Sequence, residues 1–266
     1  MRYSNQCYQS YVRDDQDFLL KLDRNITEDT VLATFDVESL YTNIDHQIGK
    51  EAISFNGIHI ERVISTKFLG VYLDESLKWD MHIEYCRKKV RSGLYALKMC
   101  KNLLTVSTLR MLYFSLVHPY LMYGNMLWGS AHKKYLNGLI ILQKKAIRII
   151  TGSKYNEHSS PLFKRLNIVK LHDVFNIQQA KFVYANSKSL LPSPLQHIYT
   201  INHNVHSYNT RQSHDVHYNN VRVDIVFRSF IHKGPEIWSS LPASIKTADS
   251  LSSFVSRLKR NYIEQY

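Results

Sequence analysis

Asp36 closes a short apolar run, Val31-Leu-Ala-Thr-Phe35, and is followed by Val-Glu-Ser-Leu-Tyr-Thr-Asn-Ile44. The run favours an extended strand. A carboxylate at the end of such a strand can meet a cation without being buried unpaired. Magnesium and calcium take oxygen ligands, so an acid in this place is a candidate ligand for a divalent cation. It has a plainer reading too, as a turn or helix-capping acid after a strand. Phosphoryl chemistry with two cations needs further carboxylates, from other strands, to bridge the attacking and leaving oxygens. Asp45, Glu51 and Glu61, which follow, are isolated acids.

Other residues invite chemical readings, each with a bland counterpart. Asp14-Asp15 is an adjacent acidic pair, but it precedes the strand, and aspartate commonly caps helix starts. His203, His206, His214 and His217 form two His-x-x-His pairs, a spacing that zinc accepts, although structural zinc sites usually include cysteine. Solvated or hydrogen-bonding histidines are the alternative. Arg87, Lys88, Lys89 and Arg91, continued by Lys98 and Lys101, make a basic run. Such a run either meets phosphates, with little sequence preference, or forms a solvated helix face. Trp79, Trp128 and Trp238 are expected to pack in cores or at joints rather than stack on bases.

These residues need elements to hold them. Residues 17–22 and 42–51 read as short helices flanking the strand that ends at Asp36. Residues 53–60 alternate around Asn56-Gly57, a strong hairpin signal. Residues 66–73 read as one further strand, closed by an acidic turn at Asp74 and Glu75. From Asp80 the period lengthens: Ile83, Cys86, Val90, Leu94, Leu97, Cys100 and Leu104 form one apolar stripe of a helix over 80–104. Residues 105–117 form a second helix, ended or kinked near Pro119. Residues 133–151 form a third, with Gly152 as its stop. Helical periodicity returns at 172–190 and at 251–262, and the polar stretch 196–224 reads as extended or looped chain.

The 266 residues suffice for one large domain or two modest ones, and 44% hydrophobic with 21% charged residues fits a folded rather than a disordered chain. A net charge of +12 favours a polyanionic partner through counterion release. Cys7, Cys86 and Cys100 have neither the number nor the spacing for a disulfide framework or a thiolate zinc site. A reducing intracellular compartment and no disulfide partner are therefore expected. The first residues carry no secretory apolar core, and no stretch reaches the length of a membrane span, so no membrane association is expected.

Two resemblances cover the chain. Ser10-Tyr-Val-Arg-Asp-Asp-Gln-Asp-Phe18 with Ala33-Thr-Phe-Asp-Val-Glu-Ser-Leu-Tyr-Thr-Asn-Ile-Asp-His46 resembles the start of a Penelope-type reverse transcriptase palm. From about residue 53 onward the chain is similar to the C-terminal part of a non-LTR retrotransposon reverse transcriptase. That likeness is carried by Lys67-Phe-Leu-Gly-Val-Tyr-Leu-Asp74, Leu77-Lys-Trp-Asp-Met-His-Ile83, His206-Ser-Tyr-Asn-Thr-Arg211 and Gly234-Pro-Glu-Ile-Trp-Ser-Ser-Leu-Pro242. The resemblance implies an RNA-directed DNA polymerase ancestry and Asp36 as a magnesium ligand helped by the Val37 backbone carbonyl. It implies Tyr41 in the nucleotide pocket, Phe68, Leu69 and Gly70 as a primer-gripping turn, and the basic helix as a thumb along template–primer.

The fold implied is α+β, in three parts. Residues 1–52 are a small palm-derived fragment, 53–104 a primer-grip-like hairpin with a thumb-like helix, and 105–266 a mainly helical C-terminal region. The family's remaining carboxylates come from a Tyr-x-Asp-Asp hairpin between the first palm motif and the primer grip. Only 31 residues separate Asp36 from Phe68, and none of them reads Tyr-x-Asp-Asp. At ~1.5 Å rise per helical residue and ~3.3 Å per strand residue, that interval holds about a helix and a hairpin strand. The expectation is a truncated or fused reverse-transcriptase-derived protein that lacks polymerase activity and does not bind magnesium productively. A non-enzymatic basic nucleic-acid-binding module is the competing expectation.

Overall fold

The computed structural model describes residues 53–55, 58–60, 63–196, 198–205, 216–217 and 224–266. Strands β1 (Ile53–Phe55) and β2 (Ile58–Ile60) pair antiparallel, Phe55 opposite Ile58, the register that a two-residue Asn-Gly connection predicts.

The next segment corrects the reading of 66–73 as one strand. It folds into a second hairpin, β3 (Ser65–Phe68) and β4 (Val71–Asp74), with Phe68 opposite Val71. Leu69 (φ 44°) and Gly70 (φ 85°) make the turn, both in the left-handed region that tight hairpins need. Glycine adopts it freely, whereas Leu69 does so at a cost, and its apolar side chain disguises the turn as strand. Val71 is fully buried, which fixes the face that β4 turns inward.

Asp74 then steers the chain into a helix. Its Oδ1 accepts from the Ser76 and Lys78 amides (3.2 and 3.0 Å) and from the Ser76 hydroxyl (3.0 Å), and Oδ2 accepts from the Trp79 amide (2.8 Å). Helix α1 (Asp80–Cys100) buries Ile83, Cys86, Val90, Leu94 and Leu97, the expected stripe. It stops at Cys100 rather than 104, because the Thr105 hydroxyl accepts from the Thr108 amide and starts α2 (Val106–Leu116). At Gly93 a Cβ would lie 2.8 Å from the Leu116 carbonyl oxygen, so the end of α2 rests directly on the α1 backbone.

Pro119 separates the helices as expected: it occupies the first turn of α3 (His118–Met122), where no amide is needed. After the short α4 (Asn125–Trp128) comes α5 (Lys133–Thr151), closed by Gly152 at φ 67°. Helix α6 (Ser159–Leu166) was not foreseen. Helix α7 (Leu171–Ser187) occupies the predicted 172–190 segment but is buried on nearly every side. The polar stretch supplies the short α8 (Asn202–Val205) and an isolated bridge between Ile201 and Val216. Beyond it are α9 (Asp224–Arg228), α10 (Phe230–Ser240), α11 (Ala243–Lys246) and α12 (Leu251–Glu264).

The described residues are thus mainly helical with two small antiparallel sheets, compatible with an α+β class. One core lies among α1, α2, α5 and α6, and a second gathers around α7, α10 and α12. Trp128 and Trp238 are buried, and Trp79 packs against both cores, matching the expectation for the tryptophans.

Candidate nucleic-acid interface

Asp36, Val37 and Tyr41 lie outside the described residues, as does Asp14-Asp15. Phe68, Leu69 and Gly70 form the tip of the β3–β4 hairpin. Phe68 packs on the core beside Val71. The Tyr123 hydroxyl, at the join of α3 and α4, donates to the Leu69 carbonyl, and its ring lies 3.5 Å from where a Gly70 Cβ would stand. The tip is therefore fastened to the helical body.

The hairpin is also fastened to α1. The Tyr72 amide donates to His82 Nδ1 at 3.4 Å. His82 is 2% exposed, and burial draws its pKa down from 6.5 to about 4, so the ring is neutral. With Nδ1 accepting, the ring proton resides on Nε2, which lies 3.5 Å from Cys86 Sγ. Burial pushes the Cys86 thiol up to about 12, so this pair is packing, not an activated nucleophile.

That docking creates a surface that no sequence window displays. The Lys67 ammonium, on β3, stands 5.7 Å from the ring centres of both Tyr72 and Tyr85. Lys89, on α1, stands 5.7 Å from the same Tyr85 ring. Tyr72 and Tyr85 are themselves 5.3 Å apart, tilted by 52°. Hairpin and basic helix thus share one strip in which cations alternate with aromatic faces. The sequence reading missed Lys67, Tyr72 and Tyr85. Tyr85 stands four residues before Lys89, a helical pairing that was available; Lys67 had no local signal.

The four basic residues singled out on α1 divide. Lys88 and Lys89 are exposed. Arg91 is exposed too and reaches Glu84 at 3.4 Å. Arg87 turns inward: it pairs with Glu84 at 2.6 Å, and its Nε lies 2.5 Å from where a Gly138 Cβ would be, pinned between α1 and α5. Arg87 Nε is buried without a hydrogen-bond partner among the described residues, the mark of a packing role.

Among the described residues no three His, Cys, Asp or Glu side chains converge where a metal ion could be held. Of the histidine array, His203 is exposed and His217 Nδ1 lies 2.9 Å from Asn202 Oδ1, while His206 and His214 lie outside the described residues. No helix among the described residues is long and apolar enough to cross a membrane.

No protein-family model matches the chain, and no solved structure matches it. Curated proteins do. The chain is 28% identical over 119 residues to a probable RNA-directed DNA polymerase from transposon BS of Drosophila melanogaster, covering 44% of this chain and 13% of that protein. It is 30% identical over 124 residues to the RNA-directed DNA polymerase from the mobile element jockey of the same fly, covering 46% and 14%. A probable RNA-directed DNA polymerase from transposon X-element, also of that fly, is 26% identical over 121 residues, covering 44% and 13%. The matched region thus spans about one seventh of the length of these relatives.

Proposed function

We propose that this chain, part of which is similar to RNA-directed DNA polymerases of fly mobile elements, is a polymerase-derived fragment whose remaining capacity is to hold nucleic acid. The holding surface is the strip made by the β3–β4 hairpin and α1, with Lys67, Lys88, Lys89 and Arg91 on phosphates. Tyr72 and Tyr85 form its aromatic floor. In this reading the hairpin is the primer-grip-like turn and α1 the thumb-like helix. The observation that carries it is the Tyr85 ring shared by Lys67 and Lys89, which joins two separate elements into one cationic face. A net charge of +12 supports it, because displacing counterions from a nucleic-acid backbone rewards such a face.

The chain does not polymerise on its own in this reading. The family's magnesium would find Asp36 and the Val37 carbonyl, but the segment between Asp36 and Phe68 brings no Tyr-x-Asp-Asp. Transfer of a phosphoryl group between two metal-held oxygens needs that second set of acids. A single carboxylate is a weak site for a hard cation.

Fluorescence anisotropy with a labelled RNA–DNA hybrid, repeated across salt concentrations, tests the binding reading. Neutralising Lys88, Lys89 and Arg91 together should lower the salt slope by about 0.9 per lost phosphate contact. Lys67→Gln should weaken binding about as much as Lys89→Gln. Arg87→Gln should lower stability and leave the slope alone. An unchanged slope in the triple variant overturns the reading. Primer extension with magnesium should give no product; incorporation that disappears in Asp36→Ala would overturn the inactive half of it.

A further inference from the structure

A cleft of about 330 Å³ opens among α5, the loop before α6, and the first turns of α6 and α7. It is separate from the hairpin–α1 strip. Three cations line it from two elements: Lys144 and Arg148 on α5, and Lys170 at the start of α7. Glu157 is the single acid of the lining. Three cations against one acid leave the cleft with a net positive charge that balances a phosphate monoester, which carries about −1.5 to −2 at neutral pH.

The cleft is built rather than incidental. Gln143, buried at its base, donates to the Val169 carbonyl (2.9 Å) and accepts from the Leu171 amide (2.9 Å), which fixes α7 to α5. Arg148 donates through Nε (3.1 Å) and Nη2 (2.8 Å) to the Glu157 carbonyl, holding the loop over the opening. Lys170 Nζ reaches the Ser160 hydroxyl at 3.0 Å and lies 3.8 Å from the Tyr266 ring centre, so its ammonium is held in place. Burial draws the Lys170 pKa down, Asp173 opposes that, and the like charge of Lys144 adds to it. Two ammonium groups that repel each other across a cleft are relieved by an anion bound between them. Ser159 and Ser160 open α6 without a side-chain acceptor from His158, so their amides add a partial positive charge beside the cations.

We infer that this cleft binds a phosphate monoester, presented either by a free mononucleotide or by the 5′ end of a nucleic-acid strand. Lys144 is the principal contact, with Lys170 and the free edge of Arg148 completing the cradle. The inference does not rest on the hairpin–α1 reading, and the two fail separately.

The test titrates the full chain calorimetrically with adenosine monophosphate and with adenosine, then by anisotropy with one labelled oligonucleotide carrying either a 5′-phosphate or a 5′-hydroxyl. Phosphate-dependent binding is expected in at least one arm, and the arm identifies the source. Lys144→Glu should weaken that binding by about tenfold or more without lowering the melting temperature, since it replaces the like charge that faces Lys170 with an opposite one. Lys89→Gln, on the other face, should leave it unaltered. Equal binding with and without the phosphate in both arms overturns the inference. So does phosphate-dependent binding that Lys144→Glu leaves intact.

Discussion

Acid should loosen the joint between the hairpin and α1, and His82 sets how much. Its neutral ring accepts the Tyr72 amide through Nδ1 and packs beside Tyr85 and Trp128, with ring centres 6.2 and 5.6 Å away. Unfolded, this histidine titrates near 6.5; folded, burial holds it at about 4. Between those values the unfolded chain binds a proton that the folded chain refuses. The stabilisation is therefore complete above pH 6.5 and shrinks as pH falls, levelling off near 4. At ~1.4 kcal/mol for each pH unit, the whole gap amounts to about 3.5 kcal/mol. Protonation would also set an Nδ1–H against the Tyr72 N–H, donor facing donor. His82→Gln keeps a neutral acceptor for that amide and removes the titration. His118, which burial and then the Lys259 charge draw down to about 4, titrates alike in both proteins and cancels. Urea unfolding followed by circular dichroism from about pH 7.5 to about pH 4.5 reads the difference. The native protein should lose about 2.5 kcal/mol more than His82→Gln across that window; parallel losses would refute the reasoning.

Gln143→Leu should cost about 3–5 kcal/mol in the same unfolding assay, because the buried Tyr113 hydroxyl, Val169 carbonyl and Leu171 amide all lose their partner. A loss under about 1 kcal/mol would mean that these groups find replacements. Asp74→Ala should cost about 2–3 kcal/mol by releasing the Ser76, Lys78 and Trp79 amides that lead into α1. Burial pushes the Asp74 carboxyl up, but those donors together hold it below the usual 3.8. The advantage over Asp74→Asn should thus be present above pH 3.8 and fade as pH drops below it.

Legibility differed element by element, for physical reasons. Helix α5 was readable to its last residue, because its apolar spacing and the Gly152 stop act within a few residues of each other. The α1 stripe was readable, but its end was not, since Thr105 chose to cap the next helix. The β3–β4 hairpin looked like one strand because Leu69 occupies a left-handed position that leucine seldom takes. Helix α10 was hidden by Gly234-Pro235, read only as a motif; Pro235 is inside the helix, and a Gly234 Cβ would stand 2.4 Å from the Tyr199 hydroxyl. On the candidate interface, Lys88, Lys89 and Arg91 were legible as a basic run. Arg87 was counted with them because a charge run shows nothing of a neighbouring helix such as α5.

Sequence by itself determined the likeness to mobile-element polymerases, the excess of positive charge, the absence of a Tyr-x-Asp-Asp between Asp36 and Phe68, and the helices whose apolar period repeats locally. Those properties depend on residue identity and short spacing alone. Tertiary structure decided that Lys67 and Lys89 meet over one tyrosine, that Arg87 is drawn inward, and that Lys144, Arg148 and Lys170 surround one cleft. Each of these joins side chains from different elements, and such meetings are fixed by how buried faces pack, which no local pattern encodes.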